Sequence, residues 1–346
     1  SQTTSASEDE SITLDAVTVT AQAGKTPTTE GTESYTTDAT NTATRLSLPI
    51  LHTPQSVSVV TRQMIDDMAL ESITDVVNIT TGVTSKAFDS SRSGFSARGF
   101  DITNLQVDGV PTTWSSGWAA GETEMDTLIY DRVEIVRGAT GLVTGTGNPS
   151  AAINLVRKRA DSKAFTGSVT GQAGSWDRRQ GTLDVSGALN ESGSVRGRVV
   201  GSYLEEDSFV DLAANEKSVL FGTLGIDLTD STLLNLGASY QSNDPTASMW
   251  GGLPVWFSDG SRTDWSRSKT TAADWAEWAS EQTSYYANVE HRFDSGTKLY
   301  AAYSRSINEG DLRLVFLSGA PDRVTGQGLS ASPTWYDVKR EQDNLD

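Results

Sequence analysis

Residues 165–173 read FTGSVTGQA, and this stretch decides the fold. Its odd-numbered positions carry Phe165, Val169 and small residues, whereas its even-numbered positions carry Thr, Ser and Gln. Successive side chains of a strand point to opposite faces, so the pattern predicts a strand with one apolar and one polar face. The same period of two recurs at 182–187, 195–203, 219–228, 233–241, 284–293 and 298–307. We therefore predict about seven or eight strands over residues 161–346.

The connections between these strands alternate in length. Short turns are predicted at 190–194, 229–231 and 294–297, and long loops at 205–217 and 242–283. Short turns at one end and long loops at the other are typical of outer-membrane barrels, which also carry aromatic girdles. Aromatic residues stand near the predicted strand ends: Trp176, Tyr203, Tyr240, Tyr285, Tyr300 and Tyr303. The sequence thus predicts a transmembrane antiparallel β-barrel rather than a soluble β-sandwich.

The composition agrees with this class. The 346 residues are 36% hydrophobic, and no apolar run reaches the length of a membrane-spanning helix. Only every second residue of a barrel strand faces lipid, so a modest hydrophobic content is expected. The net charge of −18 argues against nucleic acid as a partner, because nucleic-acid binding requires a basic face.

Two further regions precede the predicted barrel. Residues 1–45 are rich in Thr, Ser, Glu and Asp, which predicts a flexible arm. Residues 46–160 predict a compact α+β domain, with two short helices over 62–79. A closed barrel of eight strands is filled by its own side chains and could not hold such a domain. We therefore expect the barrel over 161–346 to be incomplete.

Four motifs carry a resemblance to a known family. They are DAVTV at 15–19, TPQSVSVVT at 53–61, ARGF at 97–100 with VDGVP at 107–111, and YDRVEIVRGATGLVTGTGNPSAAINLVRK at 130–158. In this order they resemble the TonB-dependent siderophore receptors. WGGLPVW at 250–256 and ADWA at 273–276 are similar to receptors for ferric coprogen and related hydroxamates, with pyoverdine receptors as near relatives.

The resemblance implies an architecture and a set of partners. It implies a barrel of about 22 strands in the full protein, with residues 46–160 as a plug inside the lumen. It also implies a monomer in the outer membrane of a Gram-negative bacterium, in contact with outer-membrane lipid. The TonB box, which pairs with TonB acting with ExbB–ExbD, would consist of Asp15, Ala16, Val17, Thr18 and Val19. The cargo would be a ferric siderophore, of hydroxamate type, and no cofactor or protein ligand to the iron is expected.

The ligand is expected at the plug apices and the long outer loops. Aromatic faces can stack on a bulky chelate, and an arginine can donate charge-assisted hydrogen bonds to metal-bound oxygens. The candidates are Arg92, Trp114 and Trp118 in the plug and Trp250, Trp256 and Trp275 in the barrel loop. The resemblance further implies that Arg98 and Arg137 form a plug–barrel lock with glutamates of the barrel wall, a mainly structural role.

An enzyme is not predicted. His52 and His291 lie in separate domains, there is no cysteine, and no spacing typical of a metal site occurs. Two alternatives remain open at this point. One is a TonB-dependent receptor for haem or a cobalamin, and the other is a non-transporting β-barrel surface protein.

Overall fold

The computed structural model describes residues 28–40, 48–50, 55–112, 114, 121–138 and 150–346. Two units occupy these ranges. The plug is built from the first ten strands and two α-helices, and the wall is an eight-stranded sheet. Within the described residues, no helix is long and apolar enough to cross a membrane.

The plug mixes short strands with two short helices. The helices are α1 (Arg62–Asp67) and α2 (Ile73–Ile79), and two 3-10 turns cover Glu122–Glu124 and Thr127–Ile129. The strands are β1 (Ala39–Thr40), β2 (Leu48–Pro49), β3 (Ser56–Val60), β4 (Thr84–Ala87), β5 (Ser93–Ala97), β6 (Phe100–Asp101), β7 (Asn104–Val107), β8 (Val110–Thr112), β9 (Tyr130–Arg137) and β10 (Ala151–Arg157). Five of them form a mixed sheet in the order β3-β9-β10-β7-β8, in which only β10 and β7 run parallel.

The plug core explains these elements. Ser72 caps α2 reciprocally with Asp75, which satisfies backbone donors at the start of the helix. Ile65 and Ile73, one from each helix, are buried at 1% and 0% exposure. They pack on the apolar residues of β9 and β10 in one cluster. The two short helices predicted over 62–79 are therefore present, because their apolar faces cover the sheet.

The wall is an antiparallel meander in chain order. Its strands are β11 (Thr166–Ala173), β12 (Arg179–Ala188), β13 (Val195–Asp207), β14 (Ala214–Thr229), β15 (Thr232–Thr246), β16 (Glu277–Arg292), β17 (Lys298–Gly319) and β18 (Leu329–Leu345). The eight strands agree with the predicted number, and β11 and β18 are the two edges of the sheet.

The two faces of the wall differ as the alternation predicts. Val169, at 81% exposure, and Leu220, at 56%, lie on the outer face. Val200, Val219 and Phe221 are nearly fully buried and belong to the same apolar cluster as the plug core. The inner face of β13 and β14 thus packs directly against the plug.

The structure differs from the sequence prediction in two places. The long loops at 205–217 and 242–283 are shorter, because β13 to β16 continue and leave only 208–213 and 247–276 as connections. The predicted flexible arm does not extend through residues 28–40, which pack against the plug and bury Thr29 and Thr40 at 1% exposure each. The hydroxyls of Thr28 and Thr40 donate to the buried carboxylates of Asp131 and Glu134 on β9.

Candidate functional site

Arg92 brings a plug apex into contact with the wall at the end where the longer connections lie. Its guanidinium lies 5.2 Å from the ring of Trp278 on β16, within the range of a cation–π contact. Nearby, the amide of Met249 donates to the hydroxyl of Ser90 at 3.1 Å. Arg92 Nε also donates to Asp89 Oδ2 at 2.7 Å, and the Asp89 side chain is fully buried. Asp89 therefore balances the charge of Arg92, whose position beside Trp278 is fixed.

An aromatic cluster stands beside this contact, and we call it the outer aromatic cluster. Trp250 packs edge-on against Phe316 and Tyr336, with ring centroids 5.6 and 5.8 Å apart. Trp250 and Tyr336 also pack on the buried group that contains Trp278. The cluster joins loop 247–276 to β16, β17 and β18, and it offers aromatic faces next to the plug apex.

The other predicted ligand residues are dispersed. Trp114 packs on Phe95 of the plug at 5.3 Å between ring centroids, so it belongs to the plug core. Trp256 and Trp275 are about half exposed and are not part of the outer aromatic cluster. Trp118 and the predicted TonB box at 15–19 lie outside the described residues.

The predicted lock arginines are placed within the plug. Arg137 donates to Ser58 Oγ at 2.8 Å and to the carbonyl of Thr81 at 2.6 Å, and both partners belong to the plug. Arg98 is exposed with a left-handed φ of 54°. Within the described residues neither arginine pairs with a wall carboxylate, so a lock through them stays a prediction.

Other ion pairs hold the plug to the wall. Lys217 of β14 lies 2.7 Å from Asp126 of the plug, with both side chains under 10% exposed. Among the described residues, four further pairs join the two units: Arg159 with Glu290, Arg178 with Glu71, Arg340 with Glu122, and Lys158 with Asp184. Sequence reasoning missed all five. A charged residue on a predicted strand, such as Glu290 at 284–293, was an available signal, whereas Lys217 lay in the predicted loop 205–217.

The surroundings of Lys217 contain an acid with an unusual pKa. Burial raises the pKa of Glu124 to about 7, and Lys217 opposes this rise. Gln241 of β15 accepts a hydrogen bond from the amide of Asp126 and donates one to the carbonyl of Glu124, each at 2.9 Å. Wall and plug are therefore joined here by a charge pair and by two hydrogen bonds between the side chain of Gln241 and the plug backbone.

A cavity of about 90 Å³ lies between the plug and the wall, next to Tyr130, Arg157 and Tyr286. Arg157 lies 4.3 Å from the ring of Tyr286 and donates to Asp108 at 2.9 Å. Pockets for organic ligands usually measure about 300–1,000 Å³. A space of this size is too small for a bulky organic ligand.

A family model now agrees with this geometry. The TonB-dependent Receptor Plug Domain matches residues 49–152, the region that holds most of the plug. The chain belongs to the TonB-dependent receptors. The motifs at 53–61, 97–111 and 130–158 are thereby confirmed as those of this family. The predicted boundaries at 45 and 160 stay predictions.

Curated relatives agree with this assignment. The chain is 48% identical over 270 residues to the ferripyoverdine receptor of Pseudomonas aeruginosa. The aligned residues cover 78% of this chain and 33% of that protein. It is 41% identical over 334 residues to the ferric-pyoverdine BN7/BN8 receptor of Pseudomonas putida, covering 93% and 40%. The chain thus spans only a third to two fifths of these relatives. They are receptors and not enzymes, as predicted.

Solved structures show the same architecture. The ferripyoverdine receptor of the Pseudomonas aeruginosa outer membrane, bound to ferripyoverdine, superimposes with a TM-score of 0.88 at 42% identity, covering 92% of this chain and 42% of that one. The alcaligin outer-membrane receptor of Bordetella pertussis gives 0.72 at 34% identity, covering 92% and 56%. The wall of this receptor is therefore part of an outer-membrane β-barrel with a plug, which confirms the predicted fold and location.

Proposed function

We propose that the receptor containing this chain imports a ferric siderophore across the outer membrane and draws energy from TonB. The outer aromatic cluster beside Arg92 carries the proposal, since it gathers stacking faces where the plug apex meets the loops. The names of the relatives favour a pyoverdine as the cargo over the simpler hydroxamate that the sequence suggested. Haem and cobalamin are the alternatives that an experiment must separate.

Tryptophan quenching in the full-length receptor tests the cargo. We expect a ferric pyoverdine to quench the fluorescence at low concentration, with weaker quenching by ferrioxamine B and none by haem or cobalamin. Trp250→Ala should weaken binding at least ten-fold, because it removes the ring that packs on Phe316 and Tyr336. Trp335→Phe is the matched control, since Trp335 is 66% exposed beside Tyr336 and lies outside the cluster. Binding of haem or cobalamin without any ferric siderophore would contradict the proposal.

Energy coupling needs a separate test. Deleting residues 13–20 removes the predicted TonB box, which would pair with TonB by adding a strand. We expect iron uptake to be abolished while siderophore binding is retained. Uptake that survives the deletion would show that residues 15–19 are not the TonB box.

A further inference from the structure

Residues 28–30 are tied to a buried carboxylate of the plug. Asp131, on β9, is 3% exposed. It accepts hydrogen bonds from the amide of Thr29 at 2.9 Å, the amide of Glu30 at 2.8 Å and the hydroxyl of Thr28 at 3.0 Å. The hydroxyl of Thr29 also donates to the carbonyl of Asp131 at 2.9 Å. Because β9 is second in the five-stranded sheet, between β3 and β10, a change at Asp131 acts on the plug itself.

The same three residues are tied to the wall. Arg198 of β13 binds both carboxylate oxygens of Glu30, at 2.7 and 2.8 Å. Its Nε and Nη2 also donate to Asp184 of β12, at 2.8 and 2.7 Å. Asp184 in turn accepts from Lys158 of the plug at 3.0 Å. One network of two cations and two anions therefore joins the arm, the plug and the wall.

The bonds from the arm also compensate an excess of negative charge. Asp131, Arg132 and Glu134 are all buried on β9, and Arg132 pairs with both acids. These three residues carry two negative charges and one positive. Besides the donors to Asp131, the hydroxyl of Thr40 donates to Glu134. Withdrawing the arm would leave buried carboxylates with fewer donors, which is strongly unfavourable.

We propose that residues 28–30 are the clamp through which tension on the arm is transmitted to the plug and the wall together. The inference rests on the proposed coupling at residues 15–19. Residues 28–30 lie between that segment and β3 along the chain, so a pull from it reaches their contacts before those of β3 to β10. Separation of Glu30 from Arg198 frees the arm from the wall, and separation from Asp131 weakens β9. Asp131 and Arg198 are thus positioning residues for transport.

A removable tether tests whether the clamp must open. In the full-length receptor in cells, Glu30→Cys and Arg198→Cys are joined by a bis-methanethiosulfonate reagent, which a reductant later removes. We expect siderophore binding to be unchanged, uptake to fall at least ten-fold below that of the same double variant before tethering, and uptake to return to that variant's own level on reduction. Ser194→Cys with Asp227→Cys is the control, since Ser194, directly before β13, accepts a 2.8 Å hydrogen bond at its carbonyl from the amide of Asp227 on the neighbouring strand β14, so both residues belong to the wall. Uptake by the tethered receptor at the control rate would overturn the proposal.

A second measurement is independent of transport. Glu30→Gln keeps the shape of the side chain but removes its charge toward Arg198. We expect amide exchange at residues 28–30 to rise at least ten-fold while siderophore binding stays unchanged. Exchange equal to that of the unmodified receptor would show that the link to the wall does not hold the arm, and the clamp would be wrong. If the receptor took up a cargo other than a ferric siderophore and tethering stopped that uptake, the clamp would stand and the proposed function would be wrong.

Discussion

The pair of Lys217 and Asp126 predicts how firmly the outer part of the plug is held. Lys217→Met keeps most of the side-chain stem but leaves Asp126 without the cation 2.7 Å away, at a site where both side chains are less than 10% exposed. Breaking a buried pair by removing one partner costs about 3–5 kcal/mol. At about 1.4 kcal/mol per factor of ten, local opening becomes about 10²-fold to about 4 × 10³-fold more frequent.

Hydrogen exchange of the full-length receptor in detergent measures this opening. The amides of residues 122–130 should exchange faster by the factor given above, whereas those of β17 should not change. Adding Asp126→Asn to Lys217→Met should recover most of the loss, because no unpaired charge then remains. Arg305→Met removes an exposed pair with Glu341 on β17 and β18 and should leave residues 122–130 unaffected.

Two outcomes would refute the reasoning. Exchange in Lys217→Met within about three-fold of the unmodified receptor would mean that water already replaces the lysine at Asp126. A double variant whose effect is the sum of the single effects would mean that the two residues are energetically independent. Either result would show that the pair of Lys217 and Asp126 does not hold the plug against the wall.

Three further predictions concern the plug and its contact surface. The pKa of Glu124 is raised from 4.5 to about 7, so its contribution to plug stability is fully present below pH 4.5 and is lost as the pH rises through 7. The loss is at most about 3 kcal/mol. The melting temperature of the receptor should therefore fall between pH 4.5 and 8, and Glu124→Gln should abolish this dependence. Gly237→Ala places a methyl group against the ring of Tyr286, so it should loosen the plug and lower the melting temperature, whereas Gly222→Ala on the neighbouring strand meets open space and should not. Ser72→Ala removes the capping box of α2 and should cost about 1 kcal/mol, seen as faster exchange of that helix alone.

The sequence predicts the strands of the wall better than the positions at which they end near the long loops. Apolar and polar positions alternate wherever a strand faces lipid on one side and the lumen on the other, as at Val169 and Val199. Beyond the lipid both faces are polar, and the end of β15, with Ser242 and Asn243, has the composition of a loop. Backbone pairing with β14 and β16 continues regardless, because it does not depend on side-chain polarity. For the same reason Trp278, predicted in a loop, lies on a strand.

The site could be predicted in kind but not in its contacts. Tryptophans of the outer loop and Arg92 were identifiable from their types and positions. The pairing of Asp89 with Arg92 and the packing of Trp250 on Tyr336 depend on turn conformations and strand register. No sequence pattern specifies these. Arg198 is harder still to pair from sequence, because its partner Glu30 lies 168 positions earlier in the chain. An inward arginine predicts a partner, but only the folded chain selects one.

The polar character of the contact between plug and wall suits the movement of the plug that the proposed transport would require. Apolar area lost on separation costs about 25 cal/mol per Å², and water offers no replacement for it. When the ion pairs of Lys217 with Asp126 and of Arg198 with Glu30 separate, each charged side chain loses its partner but regains hydration from the water that enters. Apolar packing of the wall on the plug core is concentrated at Val200, Val219 and Phe221. We therefore expect the plug to be held firmly while dry and released stepwise once tension at residues 28–30 admits water.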